Sequence, residues 1–324
     1  MTSPRILRAR KCPVQPDDTH ATLGEGPGWD ADRQELFWVD ITGGRLLVAT
    51  LTATGASGKR RYETGHVTAC AAPYQGPGGG WLLGADQGFA HLAEDGAFTL
   101  LAQPEADSAV PVRMNDGCCD PAGRFWAGSM AWDKTPDAGS LFRVDLDGSV
   151  HRVLTGLTIS NGLGWSPDER TMYVTDTGGP GRPGTVDAYD YDPATGEISR
   201  RGTVISTPAG PGGPDGMTVD ADGGLWVALW GHSAVHHYTP SGELTDIVEL
   251  PVTQPSSCCI GGPDGRTLVI TTAREDLGDD ELAAQPDAGR LFRCPVDVTA
   301  APAVPFAGRL PGPGRVQAEK GALR

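Results

Sequence analysis

Five oxygen-bearing side chains, Glu25, Asp116, Asn161, Asp215 and Ser257, each stand where a glycine-containing stretch runs into strand-forming residues, and a sixth such place lies near Thr68. None of the five is His or Cys. Brought to one end of a fold, they would gather carboxylate, amide and hydroxyl oxygens at a single point. Converging carboxylates repel one another unless a cation sits among them. An all-oxygen set suits the hard ions Ca²⁺, Mg²⁺ and Mn²⁺, with Zn²⁺ or Fe²⁺ reachable through carboxylates. A site with three protein ligands keeps positions for water and substrate, as catalysis requires.

The elements that must position these residues form an internal repeat. Glu25-Gly-Pro-Gly-Trp-Asp-Ala-Asp-Arg leads into Glu35-Leu-Phe-Trp-Val-Asp40, and Asp116-Gly-Cys-Cys-Asp-Pro-Ala-Gly into Arg124-Phe-Trp-Ala-Gly128. Asn161 precedes Thr171-Met-Tyr-Val-Thr175, Asp215 precedes Leu225-Trp-Val-Ala-Leu229, and Ser257 precedes Thr267-Leu-Val-Ile-Thr271. A weaker copy runs from Thr68 to Trp81-Leu-Leu-Gly84. The copies begin near 25, 68, 116, 161, 215 and 257, 42 to 54 residues apart. Third strands follow at Gly139–Val144, Val186–Tyr191 and Ala234–Tyr238, then turns and a fourth short strand. Four strands per period of this length predict propeller blades, and six copies predict an all-β, six-bladed β-propeller of four-stranded antiparallel blades. It is expected to occupy 1–308 as one domain, with 309–324 a disordered tail. Arg5–Pro13 is expected to close the ring by completing the last blade, and a last strand is expected near Ala303–Phe306. Asn161-Gly162, ordinarily a hairpin signal, falls in the repeat at the start of an innermost strand.

Composition narrows the partners. The 324 residues carry a net charge of −15 with 46 glycines and 27 prolines, which favours many turns and disfavours phosphate backbones and anionic membranes. No nucleic acid or membrane partner is expected, nor a spanning segment or signal peptide. Seven cysteines without a C-x-x-C read as reduced thiols of a cytoplasmic protein, expected to be a monomer or weak dimer.

Gly24-Glu-Gly-Pro27, Arg113-Met-Asn-Asp-Gly117 with Asp120-Pro-Ala-Gly-Arg-Phe-Trp-Ala-Gly128, Ile159-Ser-Asn-Gly162, Pro214-Asp-Gly-Met217 and Ser257-Cys-Cys-Ile-Gly-Gly262 together resemble the senescence-marker-protein/gluconolactonase/regucalcin family. Ala228-Leu-Trp-Gly231 and Thr272-Ala-Arg274 with Ala288-Gly-Arg-Leu-Phe292 resemble its bacterial sugar-lactonase members. The resemblance implies a propeller that hydrolyses aldonolactones such as glucono-, arabino- or xylonolactone, using one divalent metal. It implies Glu25, Asn161 and Asp215 as metal ligands, Asp215 also as general base, and Arg113 and Asn115 as the substrate-binding pair. One departure is Trp132, which follows Ala127-Gly-Ser-Met-Ala131 where some members carry an acidic residue that contacts substrate.

That chemistry is consistent with the residues. A lactone needs a polarised carbonyl, a deprotonated water and a stabilised oxyanion. Asp215 can take the water's proton and return it to the ring oxygen, and Arg113 offers a fixed fork of donors. No G-x-S-x-G, H-E-x-x-H or G-x-x-x-x-G-K-[ST] is present, and His236-His237 on one strand face opposite ways. The other readings are hydrolysis of another lactone or a phosphotriester, or a calcium-binding or interaction propeller without catalysis. Loops 132–138, 177–184 and 230–233 are expected to shape the pocket.

Overall fold

In the computed structural model, which describes residues 3–15, 20–179, 181–312 and 317–323, six antiparallel sheets form a ring. Their innermost strands are Gly24–Asp30, Thr68–Pro73, Val112–Cys119, Ser160–Trp165, Gly213–Val219 and Pro255–Gly261. Each is followed outward by its hairpin partner: Glu35–Asp40, Trp81–Ala85, Phe125–Ala131, Thr171–Asp176, Leu225–Trp230 and Thr267–Thr272. The protein is a six-bladed β-propeller, as the repeat predicts.

Residue size explains the radial order. Six backbones converge at the axis, and the inner strands there are largely Gly, Ala, Ser and Cys. The second strands carry the bulk: Phe125, Trp126 and Trp226 are almost wholly buried between blades. Each such side chain contributes about 1.5–3 kcal/mol of hydrophobic stabilisation. Farther out, strands such as Ile198–Thr207 alternate toward solvent.

Acidic residues lock the hairpins. Asp120 accepts from the backbone N–H of Ala122 (3.0 Å) and Arg124 (2.9 Å) and from Trp126 Nε1 (3.0 Å). Asp220 repeats the pattern with Asp222 (2.9 Å), Gly224 (2.8 Å) and Trp226 Nε1 (2.9 Å). One carboxylate thus holds both the turn and the indole two strands' width from the axis.

Ring closure differs in detail from expectation. The amino-terminal segment does complete the last blade, Arg10–Lys11 being its outermost strand, but it also pairs with two further blades. Arg5–Arg8 runs parallel to Leu244–Glu249 of the fifth, Arg10–Lys11 pairs with Phe292 and Arg293 of the sixth, and Val14–Gln15 runs parallel to Ala56–Ser57 of the first. It travels tangentially around the outer rim, so no single sheet keeps it. At the axis, Ser256 Oγ donates to the Gly24 carbonyl (2.5 Å), joining the last blade to the first.

At the other end of the chain, no strand forms at 303–306. Instead Ala303 N–H bonds Trp29 O (2.9 Å), Phe306 N–H bonds Pro73 O (2.8 Å) and Ala307 N–H bonds Gly123 O (3.1 Å). The prolines 302 and 305 deny this segment a ladder, and it lies across the hairpin-turn end of the channel. A cavity of about 920 Å³ remains between this covering and the inner strands. Within the tail expected to lack structure, Gln317–Leu323 runs beside Val150–Leu157, while 313–316 and 324 lie outside the described residues.

Candidate active site at the channel mouth

All six innermost strands carry a β-bulge near their start. The ladder jumps between Glu25 and Gly28, Thr68 and Cys70, Met114 and Gly117, Ser160 and Leu163, Pro214 and Met217, and Pro255 and Ser257. In each case the inner strand holds one residue more than its partner, so backbone pairing is suspended and side chains are re-aimed. Asn161-Gly162 is such a bulge, not a hairpin.

The bulges also correct the register. Measured from the resumed ladder, Asn115, Asn161 and Asp215 are equivalent, each two residues before Gly117, Leu163 and Met217. Glu25 stands one place earlier in its strand and Asp116 one place later. Asp116 and Ser257 accordingly line the channel cavity on the far side, whereas Asn115 belongs with the mouth residues. Sequence spacing of 42 to 54 residues hid this, because a one-residue offset within a strand is smaller than the variation between copies.

Local anchors fix the strands just ahead of the bulges. Asp40 Oδ1 accepts from Leu23 N–H (3.0 Å), two residues before Glu25. Asp176 accepts from the N–H groups of Thr158 and Ile159 (3.0 Å each), two residues before Asn161. Gly26 takes φ of +50°, which lets its N–H turn back onto Glu25 Oε2 at 3.0 Å.

Glu25, Arg113, Asn115, Asn161 and Asp215 are all buried, each 4–5% exposed. A directional chain joins four side chains. Arg113 Nη1 donates to Asn115 Oδ1 (2.5 Å), Asn115 Nδ2 donates to Asn161 Oδ1 (3.1 Å) and to Ser160 O (2.9 Å), and Asn161 Nδ2 donates to Thr177 Oγ1 (2.7 Å). Both amide hydrogens of Asn115 are therefore spent, leaving it only acceptor capacity. Arg113 Nε is buried without a hydrogen-bond partner.

The electrostatics are unbalanced. Burial, then the charges of Asp215 and Asp116, hold the Glu25 carboxyl well above the usual range. Asp215 is likewise pushed well up by burial and by Asp116, with Arg113 opposing. Burial raises Asp116 to about 6. Arg113, the cation among them, is itself lowered by burial while Glu275, Glu25 and Asp215 sustain its charge. Among the described residues no trio of His, Cys, Asp or Glu gathers closely enough to bind metal alone. The mouth offers instead two carboxylates and the amide oxygen of Asn161, a hard donor set whose mutual repulsion a divalent cation would relieve. The donors therefore fit such an ion.

Residues 23–274 match the SMP-30/gluconolactonase/LRE-like region. The chain belongs to this family. It is 37% identical to the pentonolactonase XacC of Haloferax volcanii, over 88% of this chain and 94% of that protein. It is 36% identical to regucalcin of Danio rerio, over 84% of this chain and 90% of that protein. Among solved structures, a calcium-binding regucalcin from Agrobacterium tumefaciens superposes with a TM-score of 0.83 at 28% identity, covering 94% of this chain and 99% of that one.

In this SMP-30/gluconolactonase-like propeller, loops from three blades meet above the mouth. Trp132, 47% exposed, covers Arg113 with the guanidinium carbon 5.3 Å from its ring centroid. Lys134 reaches Asp276, from the opposite side of the ring, at 3.1 Å. Asp137 pairs with Arg182 of the 177–184 loop at 2.6 Å. Two residues near the mouth have roles the sequence does not single out: Thr177, which falls in a loop expected to shape the pocket but ends the amide chain, and Glu275, which follows the Thr272-Ala-Arg274 motif and faces Arg113 electrostatically. A repeat alignment of inner strands finds neither, because both lie just beyond second strands.

Among the described residues no helix is long and apolar enough to cross a membrane. Six of the seven cysteines are buried.

Proposed function

We propose that this chain hydrolyses a sugar lactone to the corresponding aldonic acid, with Glu25, Asn161 and Asp215 holding one divalent cation and Arg113 binding substrate. The observation that carries the reading is the buried pair of like-charged carboxylates beside an equally buried arginine with an unpartnered Nε. Lactonase relatives of similar length supply the substrate class.

When bound, the cation supplies Lewis acidity at the lactone carbonyl and makes nearby water more acidic. The chain's own residues do the rest. Asp215, held by the Gly216 N–H, accepts a proton from the water whose oxygen adds to the carbonyl carbon. As the ring C–O bond breaks, Asp215 gives that proton to the leaving alkoxide, so the carboxylate is regenerated. Arg113 has Nη1 engaged by Asn115 and the Met114 carbonyl, and its remaining donors are free for substrate oxygens. Asn115 contributes by fixing Arg113 and by accepting from one substrate hydroxyl, since it has no donor left. A purely structural calcium site has no use for a buried guanidinium, which favours catalysis over the calcium-binding or interaction reading.

The test is a panel of five- and six-carbon aldonolactones, assayed with Ca²⁺, Mn²⁺, Mg²⁺, Zn²⁺ or Fe²⁺ after complete chelation. Hydrolysis that returns with metal, and falls about 10²–10⁴-fold in Asp215→Asn, is the expected result. Full activity in the chelated protein, or in Asp215→Asn, would overturn it.

A further inference from the structure

We propose that Thr177 is the positioning residue that holds the Asn161 amide with its oxygen presented to the cation, in the orientation set by Arg113 through Asn115; this rests on the metal reading above. An arginine only donates, so Asn115 must turn its oxygen to Arg113 and its nitrogen to Asn161. Asn161 must then turn its oxygen toward Asn115 and its nitrogen away. That nitrogen is buried and needs an acceptor, and Thr177 Oγ1 at 2.7 Å is the one it has. Reversing the amide would bring two N–H donors together at Asn115, so the polarity is set from Arg113, and the Thr177 hydroxyl, accepting from the nitrogen, holds the amide in that orientation. The reversal would also set an NH₂ where a hard cation requires oxygen.

Thr177 is held for this task. Its N–H donates to Ile159 O (3.1 Å), which ties it to the strand that bears Asn161. Asp176, just before it, accepts from Thr158, Ile159 and Gly178 N–H groups, all at 3.0 Å. The hydroxyl is therefore at a fixed place on a backbone braced on both sides. Among the described hydrogen bonds the Thr177 side chain reaches Asn161 and neither carboxylate, so it acts on the site through Asn161.

The experiment titrates CaCl₂ and MnCl₂ into chelator-stripped wild type, Thr177→Ser and Thr177→Val by calorimetry, without substrate. Thr177→Ser keeps the oxygen and is expected to bind within threefold of wild type. Thr177→Val keeps the shape without the acceptor and is expected to bind both ions about 10–100-fold more weakly. Thermal melts of the three metal-free proteins check folding, and Thr177→Ala replaces the valine variant if that one does not fold. Equal affinities for wild type and the variant lacking the hydroxyl would overturn the proposal while leaving the metal reading intact. Absence of binding in wild type itself would overturn both.

Discussion

Adding one methyl group at Gly162 should uncouple the site without dismantling the fold. A Cβ there would lie 2.6 Å from the Met217 backbone nitrogen and 2.8 Å from the Asp215 carbonyl oxygen, where ordinary contact begins at 3.4 Å. Relief requires a shift of about 0.8 Å (3.4 less 2.6); Met217 Cγ, also at 2.6 Å, can move aside, but the other two obstructing atoms are backbone, so no rotamer change alone supplies it. The fourth and fifth inner strands must separate, carrying Asn161 away from Asp215. Overpacking of this kind costs about 1–3 kcal/mol, tolerable for a domain of this size. A misplacement near 1 Å within a catalytic constellation costs about 10²-fold in rate. Gly162→Ala is therefore expected to melt cooperatively, somewhat below wild type, with lactone kcat/KM down about 100-fold. Gly164→Ala is the control. Its Cβ would meet the side-chain end of Val219 at 2.6 Å, two residues farther from the mouth, and that side chain can yield. Gly164→Ala should keep activity within a few fold. Full activity in Gly162→Ala, or equal losses in both variants, would refute the idea that inter-blade spacing at the bulge sets the site.

Other outcomes follow from the same structure. His237 lies between Asp220 (2.9 Å) and Asp246 (3.0 Å), and Asp246 also takes Arg5 Nε at 2.5 Å. Burial would lower the His237 pKa, but the two carboxylates outweigh it and the net shift is upward. Its contribution is thus complete below the unfolded value of about 6.5 and disappears as pH rises through the higher folded value. Urea titrations should show His237→Gln less stable than wild type by about 2 kcal/mol at pH 5.5, with the gap narrowing by pH 9.5; a gap independent of pH would contradict the linkage. Trp132→Ala uncovers Arg113 and should raise KM for sugar lactones severalfold with kcat within about threefold, and a fall in kcat alone would contradict a role in binding. Arg113→Lys should lower kcat/KM by at least about 10-fold, because an ammonium cannot both hold Asn115 and present a planar fork, and steady-state kinetics with retained activity would contradict that.

The fold was legible because its pattern is repeated. Turn residues and a small-residue inner strand recur in six copies, five of them with an aromatic on the second strand, and each copy supports the reading of the others. Trp126 and Trp226 each stand six residues after an aspartate that binds both the turn and the indole, a relation already visible as Asp120-Pro-Ala-Gly and Asp220-Ala-Asp-Gly. The closure was less legible because it obeys no repeat. The amino-terminal segment is divided among three sheets by pairings of two to four residues. Such short pairings have no periodicity of their own. Prolines 302 and 305 deny residues 303–306 a strand, and the segment instead makes single backbone bonds to three blades.

At the mouth, the residue types were legible but their alignment was not. A bulge inserts one residue without changing composition, so the repeat alone does not choose between Asn115 and Asp116 until the ladder on either side is known; only the family resemblance singles out Asn115. The difference matters chemically. Asn115 enters the chain from Arg113 to Asn161, whereas Asp116 faces the cavity and acts on Glu25 and Asp215 only through its charge. The bulge also explains why polar side chains can converge there at all. A regular strand would commit each inner-strand N–H and C=O to its hairpin partner and alternate its side chains between faces. Suspending the ladder for one residue in the third, fourth and fifth blades turns Asn115, Asn161 and Asp215 toward a common point while the barrel of hydrogen bonds below stays intact. The same device sits in all six blades, including the second, where Ala69 brings no polar group to the bulge. The propeller thus provides the bulge as part of its blade architecture, and chemistry depends on which residue each blade places in it.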